Sequence, residues 1–379
     1  MPDTIYLDYN ATTPVASEVL DEMLPVLREV WGNPSSDHVF GKQAKAVLEL
    51  ARERVAALLG CTAAEVVFTG GGTESDNAAV VGVAEALQDR GRHLVTSAIE
   101  HPAVEQVCRY MERRGWRVTR VPVRGTGRID PEDVEAALES ETTLITIMHA
   151  NNETGVLQPI REIAEMARAR NIVLHTDAAQ SVGKLEVTVD DLGVDLLTVA
   201  GHKLYAPKGV GVLFIREGTP FAGFLHGAAH ESGRRPGTEN SAGIAGLGAA
   251  CELALKELES RTRRMGEMRD RLAAALRNAF PDLVVHGETV ERLPNTLFAA
   301  IPGVSAARLL SRLDGVAAAA GAACHSDKPG SSGVLGAMGV ADEIAASTLR
   351  LSVGRTTSPA EIDAAAERIV RAAKELRDA

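Results

Sequence analysis

The sequence predicts an α/β protein with a mainly parallel, seven-stranded sheet and a smaller α+β domain towards the C-terminus. Over roughly the first 240 residues, short runs rich in valine, isoleucine and leucine alternate with helical patterns. This alternation is typical of a parallel sheet covered by helices on both faces. The length of 379 residues also fits two or three domains, at about 100 to 200 residues each.

Seven segments have the composition and length of buried strands, and together they form the predicted sheet. They are EVVFT (65–69), HLVTSA (93–98), RVTRVPV (117–123), TLITIM (143–148), NIVLHT (171–176), DLLTVA (195–200) and VGVLFI (210–215). The clearest helix covers residues 41–60, where apolar residues recur at helical spacing and Gly60 provides a natural end.

After about residue 240 the pattern changes to a long helical stretch rich in alanine, leucine, glutamate and arginine. Further strand patterns follow, separated by helices: LVVHG (283–287), NTLFAAI (295–301), GVAAAAGAA (315–323) and LRLSVG (349–354). No Pro-rich linker separates the two parts, so we expect a helical, rigid boundary near residues 245–255. We assign residues 16–250 to a large domain and residues 251–379 to a small one.

Composition and charge exclude several classes of protein. Hydrophobic residues make up 45% and charged residues 24% of the chain, which is the usual globular mixture and excludes disordered and collagen-like chains. The 40 basic and 51 acidic residues give a formal charge of −11. The chain therefore lacks the global basic field that would hold nucleic acid or an anionic membrane.

Cysteine usage and the N-terminal residues indicate where the protein works. The four cysteines, at positions 61, 108, 251 and 324, form no CxxC pair, and so few thiols in a long chain favour a reducing compartment. The start, MPDTIYLDYN, lacks the basic end and apolar run of a signal peptide. No apolar run reaches the length of about 18 residues that a membrane span needs. We expect a cytoplasmic protein without a membrane partner.

The first candidate site is the glycine-rich loop Gly70–Thr73, between the strand pattern 65–69 and a helical pattern. Glycines let the backbone approach a phosphate, and the first amides of the following helix bind it. The loop matches neither the Walker pattern nor GxGxxG, so nucleotide binding is not indicated. A plain strand-to-helix turn is the alternative interpretation.

The second candidate site joins Asp177 and Lys203, each at the end of a predicted strand. Ligands of open α/β sheets bind at the carboxyl ends of strands, so we expect both side chains to face one crevice. A desolvated lysine has a lowered pKa and can form a Schiff base with an aldehyde. Pyridoxal 5′-phosphate needs such a lysine, an acidic partner for its ring nitrogen and a phosphate cradle. A surface lysine and a helix-capping aspartate are the alternatives.

The third candidate is Cys324, which lies beside His325 in a loop rich in glycine and serine. We expect an exposed thiol there, and a histidine beside it favours the reactive thiolate, whereas cysteines in apolar elements are usually structural. Zinc binding by this pair is the competing interpretation. No second ligand pair at zinc spacing accompanies it in the sequence.

Other polar residues stand out in apolar surroundings. His101 lies in SAIEHPAV, Asn151 and Asn152 in HANNETG, and Arg350 in the strand pattern TLRLS. An arginine within a strand suggests a bidentate grip on a carboxylate, with a buried structural ion pair as the alternative. For His101 the alternative is a core or helix-capping histidine.

Together these motifs resemble the class V pyridoxal phosphate enzymes of the cysteine desulfurase and selenocysteine lyase type. The resemblance extends over almost the whole chain. It rests on YLDYNATTP, GNPSS, GGTES, SAIEH, NNETG, DAAQ, GHK, RPGT, the Cys324 loop and LRLSVGR. It implies the aspartate aminotransferase-like fold (fold type I), a homodimer, and an N-terminal arm, residues 1–15, that packs with the small domain.

The resemblance also implies a role for individual residues. The catalytic residues are Lys203, which holds the cofactor, His101, which stacks on its ring and moves protons, and Cys324, which attacks the substrate sulfur. Arg350 takes the substrate carboxylate, and Asn33 also contacts substrate. The remaining cofactor contacts are Gly72, Thr73 and His202 at the phosphate, Thr238 from the partner subunit, Asp177 at the ring nitrogen, Gln180 at the ring hydroxyl, and Asn152, which also contacts substrate.

The implied reaction converts L-cysteine to L-alanine and leaves a persulfide on Cys324 for a sulfur-acceptor protein in iron-sulfur or thio-cofactor synthesis. A selenocysteine lyase acting on L-selenocysteine is the close alternative, because GAACHSD followed by LRLSVGR resembles those enzymes. Another class V aminotransferase or epimerase and a non-catalytic sulfur-handling scaffold are further alternatives.

One segment and one single residue depart from the family pattern. The segment GAAHES (227–232) stands where the family usually has GGGQER, and substrate or acceptor choice can differ there. Ala200 stands where many desulfurases have a phosphate-binding serine. We expect this change to weaken cofactor binding by about 0.5 to 1.5 kcal/mol, the contribution of one hydrogen bond.

Overall fold

Three sheets and twelve α-helices organise residues 4–321 and 333–378, the residues that the computed structural model describes. The strands are β1 (Ile5–Tyr6), β2 (Val66–Thr69), β3 (His93–Ser97), β4 (Arg117–Val121), β5 (Thr142–Thr146), β6 (Val173–Asp177), β7 (Leu196–Ala200), β8 (Gly211–Ile215), β9 (Val284–Val285), β10 (Thr296–Ala300), β11 (Val316–Ala317), β12 (Ala319–Ala320) and β13 (Thr348–Ser352). The α-helices are α1 (Ser17–Glu29), α2 (Val39–Leu59), α3 (Gly72–Leu87), α4 (Pro102–Arg113), α5 (Pro131–Ala137), α6 (Ile160–Ala169), α7 (Val189–Leu192), α8 (Ser241–Ala279), α9 (Ala306–Arg312), α10 (Gly333–Ala337), α11 (Asp342–Ala346) and α12 (Pro359–Arg377).

The largest sheet has seven strands in the order β2-β8-β7-β6-β5-β3-β4. Strand β8 runs antiparallel to its neighbours β2 and β7, and all other neighbouring pairs are parallel. The seven strands coincide, within a few residues at each end, with the seven predicted segments. The predicted mainly parallel, seven-stranded sheet is therefore confirmed.

Apolar side chains cover both faces of this sheet, as successive residues of a strand point to opposite sides. Leu94 and Leu144 belong to an apolar cluster that includes residues of α3 and α4. Their neighbours Val95 and Ile145 belong to a second cluster that includes residues of α2, α6 and α8. Burial on both faces explains why the strands read as continuous apolar runs in the sequence.

A four-stranded antiparallel sheet, β12-β13-β10-β9, forms the core of the C-terminal part. The N-terminal strand β1 joins this part, because it pairs in parallel with β11 and Ile5 packs in the same apolar cluster as Leu349. The segment 315–323 was predicted as one strand, but its described residues, 315–321, form β11 and β12, which belong to different sheets. The division into arm, large domain and small domain stays a prediction.

Helix α8 connects the two parts of the chain. Its residues Ile244 to Ala254 pack in a cluster of the large sheet, while Met265 to Leu276 pack in the cluster of the small sheet. A continuous helix therefore crosses residues 245–255. None of the helices in the described part of the chain is both long and apolar enough to cross a lipid bilayer.

The strand directions place several loops at one edge of the large sheet. Strands β2, β3, β6 and β7 are mutually parallel, so their carboxyl ends open on the same side. Thr69 leads into the glycine loop, Ser97 leads towards His101, β6 ends at Asp177, and β7 ends three residues before Lys203. This edge is where ligands bind in open α/β sheets.

Candidate active site

A cavity of about 620 Å³ lies at this edge of the large sheet. Eight of the residues predicted to act on the cofactor line it: Gly72, Thr73, His101, Asn152, Asp177, Gln180, His202 and Lys203. They come from separate segments of the chain that the sheet topology brings together. The cavity is therefore the candidate active site.

Lys203 lies in a short 3-10 turn directly after β7. Its amine donates a hydrogen bond to the main-chain oxygen of Asn10. Burial and the nearby Arg350 lower the pKa of Lys203 to about 8, against the opposing effect of Asp177. A lysine with this pKa is partly neutral near physiological pH, and only the neutral amine attacks a carbonyl carbon.

Asp177 is the last residue of β6 and is buried. Its Oδ1 accepts a hydrogen bond of 2.9 Å from the main-chain amide of Ala179, so it caps a tight turn rather than a helix. Burial raises the pKa of Asp177, while the same amide and the charge of Lys203 counteract that rise. A cationic group bound in the cavity would hold this carboxylate in its charged form.

Two buried carboxyl groups near Asp177 had no predicted role. Asp76 Oδ1 and Glu100 Oε2 have no hydrogen-bond partner among the described residues. Burial raises the pKa of Glu100 to about 8 and that of Asp76 well above its usual value, and the charge of Asp177 adds to both rises. Both acids are part of motifs, GGTESDN and SAIEH, but their burial depends on tertiary packing.

The glycine loop forms a cradle at the start of α3. Gly71 has a φ of 141°, a conformation in the region that favours glycine. A Cβ atom at Gly72 would lie 3.1 Å from the Cβ of Ala200, so a larger residue would fit only if the end of β7 shifted slightly. The N-terminus of the 16-residue helix α3 lines the cavity, and helix N-termini favour anions.

His202 and His101 border the same cavity and are both anchored by hydrogen bonds. His202 Nδ1 lies 3.1 Å from Thr12 Oγ1, and burial lowers the pKa of His202 to about 4. His101 is the N-cap of α4, and its Nδ1 accepts a 3.2 Å hydrogen bond from the Ala103 amide. His101 therefore lines the cavity and also caps a helix. The site role and the helix cap were alternatives for His101 in the sequence, but the structure contains both placements.

Arg350 does not line the cavity but reaches its border from β13. Its Nη2 lies 2.8 Å from Asp8 Oδ1, and its Nη1 donates a 3.1 Å hydrogen bond to the main-chain oxygen of Asn152. The guanidinium is thus held in an ion pair, the alternative named for it above. Its Nε is buried and has no partner among the described residues.

Two other predicted site residues lie outside this cavity. Asn33 and Thr238 are exposed and do not line the cavity within one chain. Cys324, with its neighbour His325, lies outside the described residues.

The departing segment GAAHES borders a different cavity. His230, Glu231 and Ser232 line a space of about 450 Å³ together with Pro34 and Ser35, close in sequence to Asn33. Glu231 forms two hydrogen bonds of 2.8 and 2.9 Å with the guanidinium of Arg52. The segment is therefore anchored beside β2 and outside the cavity that contains Lys203.

The residues around Lys203 fit pyridoxal phosphate in three respects. The glycine cradle at α3 could offer amides to a phosphate, Asp177 provides a buried carboxylate that would suit a ring nitrogen, and the lowered pKa of Lys203 suits capture of an aldehyde. The cavity volume of about 620 Å³ is also in the range of small-molecule sites.

Comparisons with known proteins agree with this geometry. The family model described as aminotransferase class-V matches residues 5–365. The chain is 42% identical over 379 residues to cysteine desulfurase IscS of Dictyoglomus turgidum, covering 100% of this chain and 96% of that protein. It is 41% identical over 377 residues to cysteine desulfurase of Mus musculus, covering 99% of this chain and 82% of that protein.

Solved structures give the same result for the fold. A NifS-like protein superimposes with a TM-score of 0.91 at 35% identity, over 97% of this chain and 98% of that one. SspA in complex with cysteine superimposes with a TM-score of 0.84 at 33% identity, over 94% of this chain and 100% of that one. These matches confirm the predicted fold type I architecture, and the chain belongs to the class-V aminotransferase family.

Proposed function

We propose that this protein is a pyridoxal-phosphate-dependent cysteine desulfurase that converts L-cysteine to L-alanine. The observation that carries the proposal is the pairing, in one cavity, of Lys203 at a lowered pKa with the buried Asp177 beside the glycine cradle. The names of the relatives and the cysteine-bound structure among its neighbours support this substrate class.

The cofactor, once bound, supplies an electron sink for charge that develops at the substrate α-carbon. Lys203 would hold it covalently, Asp177 would bind the ring nitrogen, and Gln180 would donate to the ring hydroxyl. Gly72, Thr73 and His202 would bind the phosphate, and His101 and Asn152 would contact the ring.

The substrate is held and deprotonated by side chains around the cavity. The Arg350 guanidinium releases the Asp8 carboxylate and binds the substrate carboxylate instead, because the two carboxylates compete for the same donor groups. Lys203, once released from the cofactor, or His101 removes the α-proton, because both line the cavity.

Cys324 completes the proposed reaction as the sulfur acceptor. Its thiolate attacks the substrate sulfur, so that an S–S bond forms while the carbon–sulfur bond breaks. The electron pair stays with carbon, which takes up a proton to become alanine. The resulting persulfide then passes to an acceptor protein, and no external oxidant is consumed.

A second copy of this chain is part of the proposal. Asn33 and Thr238 are exposed and do not line the cavity of their own chain, as expected if they serve the partner's cavity. Helix α1 carries a stripe of exposed leucines, Leu20, Leu24 and Leu27, and the stacked pair Trp31 and Phe40 follows it. Exposed apolar surface of this kind is typical of subunit contacts.

The proposed location is the cytoplasm. Three cysteines of the described chain, Cys61, Cys108 and Cys251, are free thiols, as expected in a reducing compartment.

Burial raises the pKa of all three thiols well above the usual value for cysteine. Such thiols are poor nucleophiles. Among the four cysteines this leaves Cys324 as the candidate for sulfur chemistry.

The deciding experiment measures alanine release from L-cysteine and from L-selenocysteine in parallel, with reductant present. We expect turnover of L-cysteine well above that of free cofactor, and a persulfide on Cys324 detectable by mass spectrometry. The Cys324→Ala variant should lose the L-cysteine reaction. Turnover of L-selenocysteine alone would overturn the desulfurase assignment in favour of the lyase, and full activity of Cys324→Ala would point to another class V reaction.

A further inference from the structure

Lys184 is a buried lysine that the proposed reaction leaves without a role. It lies in the turn after β6, seven residues past Asp177, and only 6% of its surface is exposed. Its Nζ donates to Gln180 Oε1 at 2.9 Å and to Asn10 Oδ1 at 3.4 Å. Neither partner is a carboxylate, although a buried lysine usually needs one to offset its desolvation.

The contact with Lys184 determines which way the Gln180 amide points. Lys184 donates to the amide oxygen, and the amide nitrogen of Gln180 donates to the main-chain oxygen of Asn10 at 3.0 Å. An amine that donates on one side and a carbonyl that accepts on the other leave the amide a single favourable orientation. Gln180 lines the cavity, and in this orientation its Nε2 keeps a second N–H that is available to a ligand.

Asn10 joins this pair to Lys203. Its main-chain oxygen accepts from both Gln180 and Lys203, while its Oδ1 accepts from Lys184 and, at 2.9 Å, from Asn295. Its own amide nitrogen donates to Thr296 Oγ1 at 2.8 Å. Both polar atoms of the Asn10 side chain thus form hydrogen bonds, so the acceptor for Lys184 is held in a fixed position.

We propose that Lys184 is a positioning residue that orients and polarises the Gln180 amide, so that its N–H binds the ring oxygen of the cofactor. The inference rests on the proposed function, since it assigns Gln180 to that oxygen. Hydrogen bonds in a chain strengthen one another. A donor on Gln180 Oε1 therefore makes the Gln180 N–H a better donor to an anionic oxygen.

Other charges around this pair set the electrostatic background. Lys203 and Arg350 are cationic and, with burial, lower the pKa of Lys184. Asp8 and Asp177 are the anionic groups that act on Lys203. On the far side, Arg261 donates to the main-chain oxygen of Gly183 and pairs with Glu257 at 3.0 Å.

The test is a pH titration of the visible absorption of the cofactor bound at Lys203, which reports the proton on the lysine–cofactor link. A donor to the ring oxygen stabilises that oxygen as an anion and lowers the pKa of the link. Lys184→Met removes the donor to Gln180 and should raise the titration midpoint by about 0.5 to 1 pH unit. Lys184→Gln keeps an N–H donor and should stay closer to the native midpoint.

A double variant separates orientation from simple charge loss. If Lys184 acts through Gln180, the midpoint of Gln180→Ala should not shift further when Lys184→Met is added. If Lys184→Met shifts the midpoint of Gln180→Ala as much as it shifts that of the native protein, the proposal is overturned, because the loss of charge alone then explains the shift. An unchanged midpoint in Lys184→Met itself would also overturn it. A native protein that binds no cofactor would instead contradict the proposed function.

Discussion

Arg350 and Asp8 form an ion pair at the border of the active-site cavity, with 2.8 Å between Nη2 and Oδ1. The Arg350 side chain is only 9% exposed and also donates to the main chain of Asn152. A guanidinium held this way is ready to bind a carboxylate, but Asp8 occupies it first. In the proposed reaction, the substrate carboxylate therefore replaces the Asp8 carboxylate on Arg350.

This exchange predicts opposite effects of two substitutions on the KM for L-cysteine. Arg350→Lys loses the paired N–H donors of the guanidinium. A hydrogen bond to a charged group contributes about 1.5 to 3 kcal/mol, so the KM should rise about ten- to a hundredfold. The effect on kcat should be smaller. Asp8→Asn removes the competing charge and should lower KM. A similar rise of KM in both variants would show that the ion pair is structural.

The pKa of Lys203 predicts how fast the apoenzyme captures the cofactor at different pH values. Only the neutral amine reacts, so the rate of capture should rise with pH and have its midpoint near the Lys203 pKa of about 8. Arg350 contributes to the lowering of that pKa. Arg350→Gln should therefore move the midpoint to higher pH.

Stopped-flow absorption of the apoenzyme mixed with pyridoxal phosphate measures this rate. The matched control is Arg109→Gln, because Arg109 is 57% exposed on α4 and pairs with Glu105. It should leave the midpoint unchanged. An unperturbed lysine has a pKa of about 10.4. A midpoint at that pH in the native protein would refute the assignment of a desolvated Lys203.

The strands were the most predictable feature of this chain, because burial on both sheet faces produces apolar runs that the sequence displays directly. The ends of β2, β6 and β7 then bring Gly72, Asp177 and Lys203 together by topology alone. Contacts between distant segments were not predictable. The Lys184–Asn10 contact and the Arg350–Asp8 pair both depend on where the segment after β1 lies. Asp8 forms a bridge to Ser352 of β13 there, and sequence patterns do not encode that contact.

The GAAHES segment offers a prediction for stability. Glu231 is only 2% exposed and receives two hydrogen bonds from Arg52 and one of 2.9 Å from the Phe68 amide. Breaking a buried ion pair costs about 3 to 5 kcal/mol, and we expect a value at the lower end because Arg52 keeps a hydrogen bond to the main-chain oxygen of Val66 and lies 3.6 Å from Glu49. Glu231→Ala should lower the free energy of unfolding by that amount, measured as a shift in the denaturation midpoint.

The control for this measurement is an exposed ion pair. Asp363→Ala removes the partner of Arg271, and both side chains are about half exposed; such pairs contribute at most about 1 kcal/mol. Equal destabilisation by Asp363→Ala and Glu231→Ala would contradict the role assigned to the buried pair. Loss of stability without any change in the KM for L-cysteine would show that GAAHES anchors the fold and does not select the substrate.

The final prediction concerns sharing of sites between two copies of the chain. Lys203 and Asp177 line one cavity, whereas Thr238 is exposed and outside it. If Thr238 serves the partner's cavity, then a dimer of one Lys203→Ala chain and one Thr238→Glu chain contains one intact site. Two differently tagged chains, co-expressed and purified through both tags, should recover up to about half of the native activity.

A matched pair of variants distinguishes this result from nonspecific rescue. Lys203→Ala combined with Asp177→Ala should recover nothing, because both residues act in the same cavity and each site keeps one defect. If the Thr238→Glu combination also fails, while Thr238→Glu alone is inactive, Thr238 acts within its own chain. Recovery in the Thr238 pair alone requires that the phosphate end of each cavity is completed by the second copy.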